Sequence, residues 1–246
     1  MTKYETLHVL IKDAWTNIVE FKDDKSKFNE EFMQFVPELK KYIAARITSS
    51  VNKGKLPDNK YKVADFLDEL FINAYDNIER YDSSEAYYVW LIQQLDELLE
   101  DTSIEEEFNE FFFQNIDKYT HEEWDAMEEE YSMGINGKYM LLEEFEGGSY
   151  PTHEYTLKDV FIDNSAQGLI DKISDKLDKE QIQRHIGLIV NELPVEQRTV
   201  FQQSVLLGSN LAQIAQVRSA EAHKVEDSLK TTRLTIQGSF ETRFNI

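Results

Sequence analysis

The sequence predicts an all-α protein: two helical domains joined by a long acidic linker. Three observations carry this. Apolar residues recur at steps of three and four along most of the 246-residue chain. Only 9 glycines and 4 prolines are present, while Leu, Ile, Glu, Asp, Lys and Gln are abundant, a composition that favours helix. Between residues 132 and 158 the pattern is interrupted by Gly134, Gly137, Gly147, Gly148 and Pro151. The expected division is therefore an N-terminal helical unit over 1–131, a linker over 132–158 and a C-terminal helical unit over 159–246. A hydrophobic content of 41% is enough to build cores in both units.

Taken in order, residues 2–21 read as an amphipathic helix with Leu7, Leu10, Ile11, Ala14, Trp15, Ile18 and Val19 on one stripe. Asp23-Asp24-Lys25-Ser26 breaks it. A second helix is expected over 27–50, kinked or restarted at Pro37, because proline fits best in a first turn. Residues 52–60 are a loop. The third helix has the cleanest period, with Val63, Phe66, Leu67, Leu70, Phe71, Ala74 and Ile78 inward and Asp65, Glu69, Asn73 and Asp76 outward. Ser83 or Ser84 caps the next helix, over 85–100, which buries Tyr88, Leu91, Ile92, Leu95 and Leu99. Residues 100–131 are acidic but rich in aromatics (Phe108, Phe111, Phe112, Phe113, Tyr119, Trp124), so one or two docked helices are expected there. Helix resumes over 159–190 with Ile170, Ile173, Leu177, Ile182, Ile186 and Ile189.

The formal net charge of −21 is concentrated in one block. Residues 65–160 hold 4 basic and 27 acidic side chains, whereas residues 1–64 hold 12 basic and 9 acidic, and residues 189–246 hold 6 of each. Such a block repels phosphate backbones. It suits a basic protein surface or the channel of a nucleic-acid machine, or else it is a solvated surface. There is no cysteine, which excludes disulfides, thiolate metal sites and cysteine nucleophiles. The start of the chain lacks the apolar core of a signal peptide, and no apolar run approaches the roughly 18 residues of a membrane helix. A soluble, cytoplasmic protein without a membrane partner is expected.

Catalytic chemistry finds little support. The five histidines (His8, His121, His153, His185, His223) show no metal-ligand spacing, and no metal or other cofactor is expected. The acidic runs Glu105-Glu106-Glu107 and Glu128-Glu129-Glu130 are too densely charged to act as an acid–base pair of separated pKa. Phosphate-binding glycine loops and serine nucleophile elbows are absent, and the chain does not read as an enzyme.

Residues 193–234 carry the strongest motif. Leu193-Pro194 is followed by Gln197-Arg198, Phe201, a turn at Gly208-Ser209-Asn210, the pair Ile214-Ala215, and a last helix with Val225 and Leu229 inward. This order resembles the C-terminal, promoter-reading helix-turn-helix domain of bacterial sigma factors. A second segment resembles the same family. Asp65 to Tyr75, then Tyr81-Asp82 and Trp90-Leu91, is similar to the conserved helices of the sigma N-terminal domain. Together the two matches cover about half of the chain, in the order of the small extracytoplasmic-function type.

The resemblance implies that the 65–80 helix docks on the clamp coiled coil of the largest subunit of core RNA polymerase, through Asp65, Asp68, Glu69, Asn73 and Arg80. It implies DNA contacts from Tyr87, Tyr88 and Trp90, and from Arg218, His223, Lys224, Lys230 and Arg233 in the reading helix and its approach. The chain departs from the family where charge matters. Gln93 to Asp101 is acidic where the family is basic, and Glu226 and Ser228 stand where it commonly has Lys or Arg. A bidentate basic contact to a base is worth about 1–3 kcal/mol of discrimination. Intrinsic promoter reading is therefore expected to be weak, with another DNA-bound factor, such as an RNA-guided effector, as recruiter. The alternative is a regulator that mimics sigma or nucleic acid and inhibits polymerase or a sigma factor.

Overall fold

A computed structural model describes residues 6–117, 131–133, 139–141, 155–161 and 167–244. Their architecture is almost wholly helical. The N-terminal half comprises α1 (Leu7–Glu20), α2 (Lys25–Phe32), α3 (Val36–Val51), α4 (Val63–Asn77) and α5 (Ser84–Asp117), with a 3-10 turn at Ile78–Arg80. A short antiparallel ribbon follows, β1 (Tyr131–Met133) against β2 (Tyr139–Leu141), with Ser132 opposite Met140. The C-terminal half comprises α6 (Leu157–Val160), α7 (Gln167–Lys176), α8 (Lys179–Glu192), α9 (Val195–Leu206), α10 (Leu211–Val217) and α11 (Ala222–Phe244).

Local chemistry sets most boundaries. Asp24 caps α2 by accepting from Lys27 N at 3.2 Å. The helix expected over 27–50 is two helices, because Pro37 occupies the first turn of α3 and the chain turns at residues 33–35. That turn drives Phe32 and Phe35 into the core in an edge-on pair. At the start of α5 it is Ser83 that caps, its Oγ accepting from Ala86 N. Reciprocal capping boxes open α8 (Asp178 with Gln181) and α10 (Asn210 with Gln213).

Helix α5 does not end near residue 100 but runs for 34 residues. No glycine or proline lies between 100 and 117 to stop it. The hydroxyls of Thr102 and Ser103 donate to the carbonyls of Leu98 and Leu99, so they remain satisfied inside the helix. Its acidic flank is partly neutralised: Glu106 accepts from Lys60 and Tyr61, and Glu107 from Lys55 at 2.8 Å. The aromatics Tyr119 and Trp124, with most of the expected 132–158 linker, lie outside the described residues.

Two clusters of buried apolar side chains organise the halves. The first gathers Leu7, Ile11, Phe28, Leu39, Leu70, Leu91 and their neighbours from α1 to α5. The second gathers Ile186, Phe201, Ile214, Leu229, Ile236 and Phe240 from α8 to α11. Fully burying one such side chain contributes about 1.5–3 kcal/mol. Leu207 and Val217 belong to the C-terminal half by sequence but pack into the first cluster, so the halves lie against each other.

Candidate functional site

Among the described residues, nothing buries the outer face of α4. Asp65, Asp68, Glu69, Ile72 and Asp76 are exposed on it, and Asn73 is half-buried. Arg80, just beyond its end, is exposed as well. Ile72 is 50% exposed, so an apolar side chain stands amid carboxylates. The inner stripe is buried as the period requires: Phe66, Leu67, Leu70 and Ala74. Asp65 has a local task, since its carboxylate accepts from Lys62 N at 3.0 Å and caps the helix. The remaining polar side chains form a surface able to meet a partner by shape and hydrogen bonding.

Tyr88 is buried, as its place on the inner stripe of α5 requires, but neither it nor Tyr87 is placed for the DNA contact that the resemblance implies. Tyr87 and Tyr88 are fully buried, and neither ring has a free face on which a base could stack. Tyr87 packs against Trp15, Tyr81 and Trp90, and Tyr88 stands edge-on to His8. Burial pushes both phenols up, Tyr88 to about 12. Trp90 is half-buried and stacks on Tyr81 at 5.0 Å. Of the three, only Trp90 borders an open cleft, about 440 Å³ in volume, flanked by Tyr81, Gln93 and Gln216.

In the C-terminal half, α10 and α11 pack as consecutive helices joined by residues 218–221, with Ser219 at φ 49° in the turn. Val225, Leu229, Thr232 and Ile236 face inward, as the helical wheel requires. His223, Lys224, Glu226, Asp227 and Lys230 are exposed. Glu221 lies 3.5 Å from both His223 and Lys224, which lowers the positive charge this end offers to phosphate. Two of the five basic residues expected at DNA are occupied within the fold. Arg233 Nε donates to the Asp159 carbonyl at 3.2 Å, and burial lowers its pKa. Arg218 lies 3.9 Å from Asp96 of α5. The expected DNA set is therefore split: Lys224, Lys230 and His223 face outward, Trp90 lines a cleft, and Tyr87, Tyr88, Arg218 and Arg233 serve packing.

What the sequence did not announce is the seam between the halves. Asp96 is its hub. One carboxylate oxygen accepts from Tyr42 OH at 2.6 Å and from Arg46 at 2.9 Å, and the other accepts from Gln203 Nε2 at 2.8 Å. Burial opposes the charge on Arg46, but Tyr42 and Asp96 more than offset it, so its pKa is raised. Around this hub, Ser49 Oγ donates to Asn191 at 2.7 Å, Lys53 Nζ to the Leu193 carbonyl at 2.7 Å, and Gln93 Nε2 to the Val217 carbonyl at 3.1 Å. Tyr88 OH meets Ser209 Oγ. Gly208, at φ +65°, brings the backbone so close to Thr6 that a Cβ there would collide with the threonine side chain. Gln202 and Gln203, adjacent amides on α9, are both buried at this seam.

Among the described residues no group of three or more His, Asp or Glu side chains could hold a metal ion, and no helix is long and apolar enough to cross a membrane. Compared with protein-family profiles, curated proteins and solved structures, the chain finds no match.

Proposed function

We propose that this chain is a divergent sigma factor that binds core RNA polymerase through α4 and directs transcription initiation with weak promoter reading of its own. The observation that carries the reading is the face of α4 left exposed among the described residues, where Asp68, Glu69, Asn73 and Asp76 surround exposed Ile72 on a helix well anchored from behind. The helix pair α10–α11, with Lys224 and Lys230 outward, is the second support. In this reading the chain has two helical domains, and residues 132–158 link them. The acidic block would follow a basic nucleic-acid path in the polymerase. Tyr88 reaches DNA only if the seam opens, because it is buried and its hydroxyl meets Ser209. Acidic Glu226 and Asp227 beside the reading positions would keep affinity for duplex phosphates low. A recruiting DNA-bound factor, such as an RNA-guided effector, would then supply the sequence information.

A second reading, an inhibitor of polymerase or of a sigma factor, is favoured by one observation. The seam covers the α5 side that a sigma factor needs, and Arg218 is drawn to Asp96 instead of to phosphate.

Purified core polymerase separates the two readings. Capture of the chain by core enzyme together with specific run-off transcripts supports the first. Capture with loss of transcription by a housekeeping sigma factor supports the second. Absence of any polymerase binding rejects both.

A further inference from the structure

The two halves meet more through polar groups than through apolar ones. Helix α9 packs on α3, and α10 packs on α5. Across that seam Gln203 reaches Asp96, Ser49 reaches Asn191, Lys53 reaches the Leu193 carbonyl and Gln93 reaches the Val217 carbonyl. Gln213 Nε2 donates to Glu85 at 3.3 Å. Of the described buried apolar side chains in the C-terminal half, only Leu207 and Val217 enter the N-terminal core. Each half keeps a core of its own. Contacts between halves of one chain allow relative motion unless they are large and apolar.

The seam also carries an element that opposes closure. Arg198 of α9 is 2% exposed, and among the described residues no carboxylate pairs with it. Its guanidinium donates to the Asn191 carbonyl at 3.3 Å, and Nε has no partner. Burial first, and the Arg46 charge across the seam second, push its pKa down to about 10. Lys53, which also belongs to the N-terminal half, is repelled by the same guanidinium. A buried charge without a counter-ion is costly. Parting the halves separates Arg198 from Arg46 and Lys53. Asp96 meanwhile stays bonded to Arg46 and Tyr42, which lie in its own half. Opening therefore relieves like-charge repulsion and leaves Arg46 paired.

We propose that the seam is a reversible latch: the halves separate as intact units, with Arg198 favouring release and the Asp96–Gln203 bond favouring closure. Gly208 sets the closed fit, because a Cβ there would collide with Thr6 across the seam. Opening frees the Tyr88 hydroxyl from Ser209 and lifts Leu207 and Val217 out of the N-terminal core. A partner that needs either surface binds the open form alone, so its affinity is reduced by the fraction open. The inference is independent of what α4 or α11 contacts.

The test uses the full chain, which has no cysteine of its own. Lys12→Cys and Lys172→Cys, both at exposed positions, place a donor and an acceptor dye on opposite halves. Single-molecule energy transfer should show two populations, a major one at the closed distance and a minor extended one. Arg198→Met removes the uncompensated charge and should reduce the extended fraction by about threefold or more. Gly208→Ala should raise it by about threefold or more, since its collision exists only in the closed form. Adding Thr6→Gly to Gly208→Ala removes the other side of that collision and should restore the closed population. Circular dichroism checks that helix content is kept, and Arg198→Met alone decides if Gly208→Ala fails to fold. A single population at the closed distance in both the parent and the Gly208→Ala variant overturns the latch. So does an extended fraction that Arg198→Met leaves unchanged, or one that Thr6→Gly fails to reverse.

Discussion

Gln203 donates its side-chain amide to the carboxylate of Asp96 at 2.8 Å, across 107 residues of sequence. Both side chains are shielded from water: Gln203 is 0% exposed and the Asp96 side chain 16%. The same carboxylate neutralises Arg46, so one residue supports both the N-terminal core and the seam.

Asp96→Ala should be among the most damaging single changes. It strands the buried Arg46 guanidinium and the Tyr42 hydroxyl together, and breaking a buried pair costs about 3–5 kcal/mol. Gln203→Leu removes one neutral-donor contact and should cost nearer to ~1–3 kcal/mol. Urea unfolding of both variants measures the difference. Equal effects would mean that Asp96 acts mainly across the seam.

The α4 face should be separable from stability. Asp68→Lys and Ile72→Glu alter exposed groups that support no packing, so each should shift unfolding by no more than about 0.5 kcal/mol. Under the proposed function, combining them should weaken capture by core polymerase tenfold or more, equivalent to about 1.4 kcal/mol. Unchanged capture by a folded double variant rejects α4 as the docking surface.

Two glycines should respond in opposite directions to alanine. Gly187→Ala fills empty space on a helix and should stabilise by about 0.5–1 kcal/mol. Gly208→Ala places a side chain at φ +65° and into Thr6, and should destabilise by about 1–3 kcal/mol. Thermal melts of the pair read both signs.

His185 should give the protein a pH dependence. Burial first, and nearby Arg243 second, lower its pKa from 6.5 to about 4. In that interval the unfolded chain binds a proton that the folded chain refuses, so stability falls as pH drops from 6.5 to about 4 and levels off below. The full loss amounts to up to about 3 kcal/mol. His185→Gln can still bond Ser239, the partner of His185 Nε2 at 2.8 Å, and should flatten the slope. Denaturant unfolding between pH 7 and pH 4 provides the check.

Periodicity made the helices legible because each buries one stripe: Phe66, Leu67, Leu70 and Ala74 in α4, or Val225, Leu229 and Ile236 in α11, follow from spacing alone. The end of α5 was not legible: one or two separate helices were expected after residue 100, and only the folded chain brings Lys55 and Lys60 alongside the acidic flank of a single continuous helix. The roles of Tyr87 and Tyr88 were misjudged for a related reason. An aromatic reads the same whether it faces a base or a core, and here the core claims both. The seam was invisible because its members are single polar residues far apart in sequence, such as Ser49 and Asn191.

The length of α5 changes what its acidic flank is. At 1.5 Å per residue, 34 residues make a rod of about 51 Å, anchored along its first half by the N-terminal core. Exposed Glu105 and Glu107 therefore point from a stiff mast rather than drifting on a tether, while Glu106 stays bonded to Lys60 and Tyr61. A cationic surface that meets them has little disorder to suppress on contact, so electrostatic attraction there is converted to affinity with small entropic loss.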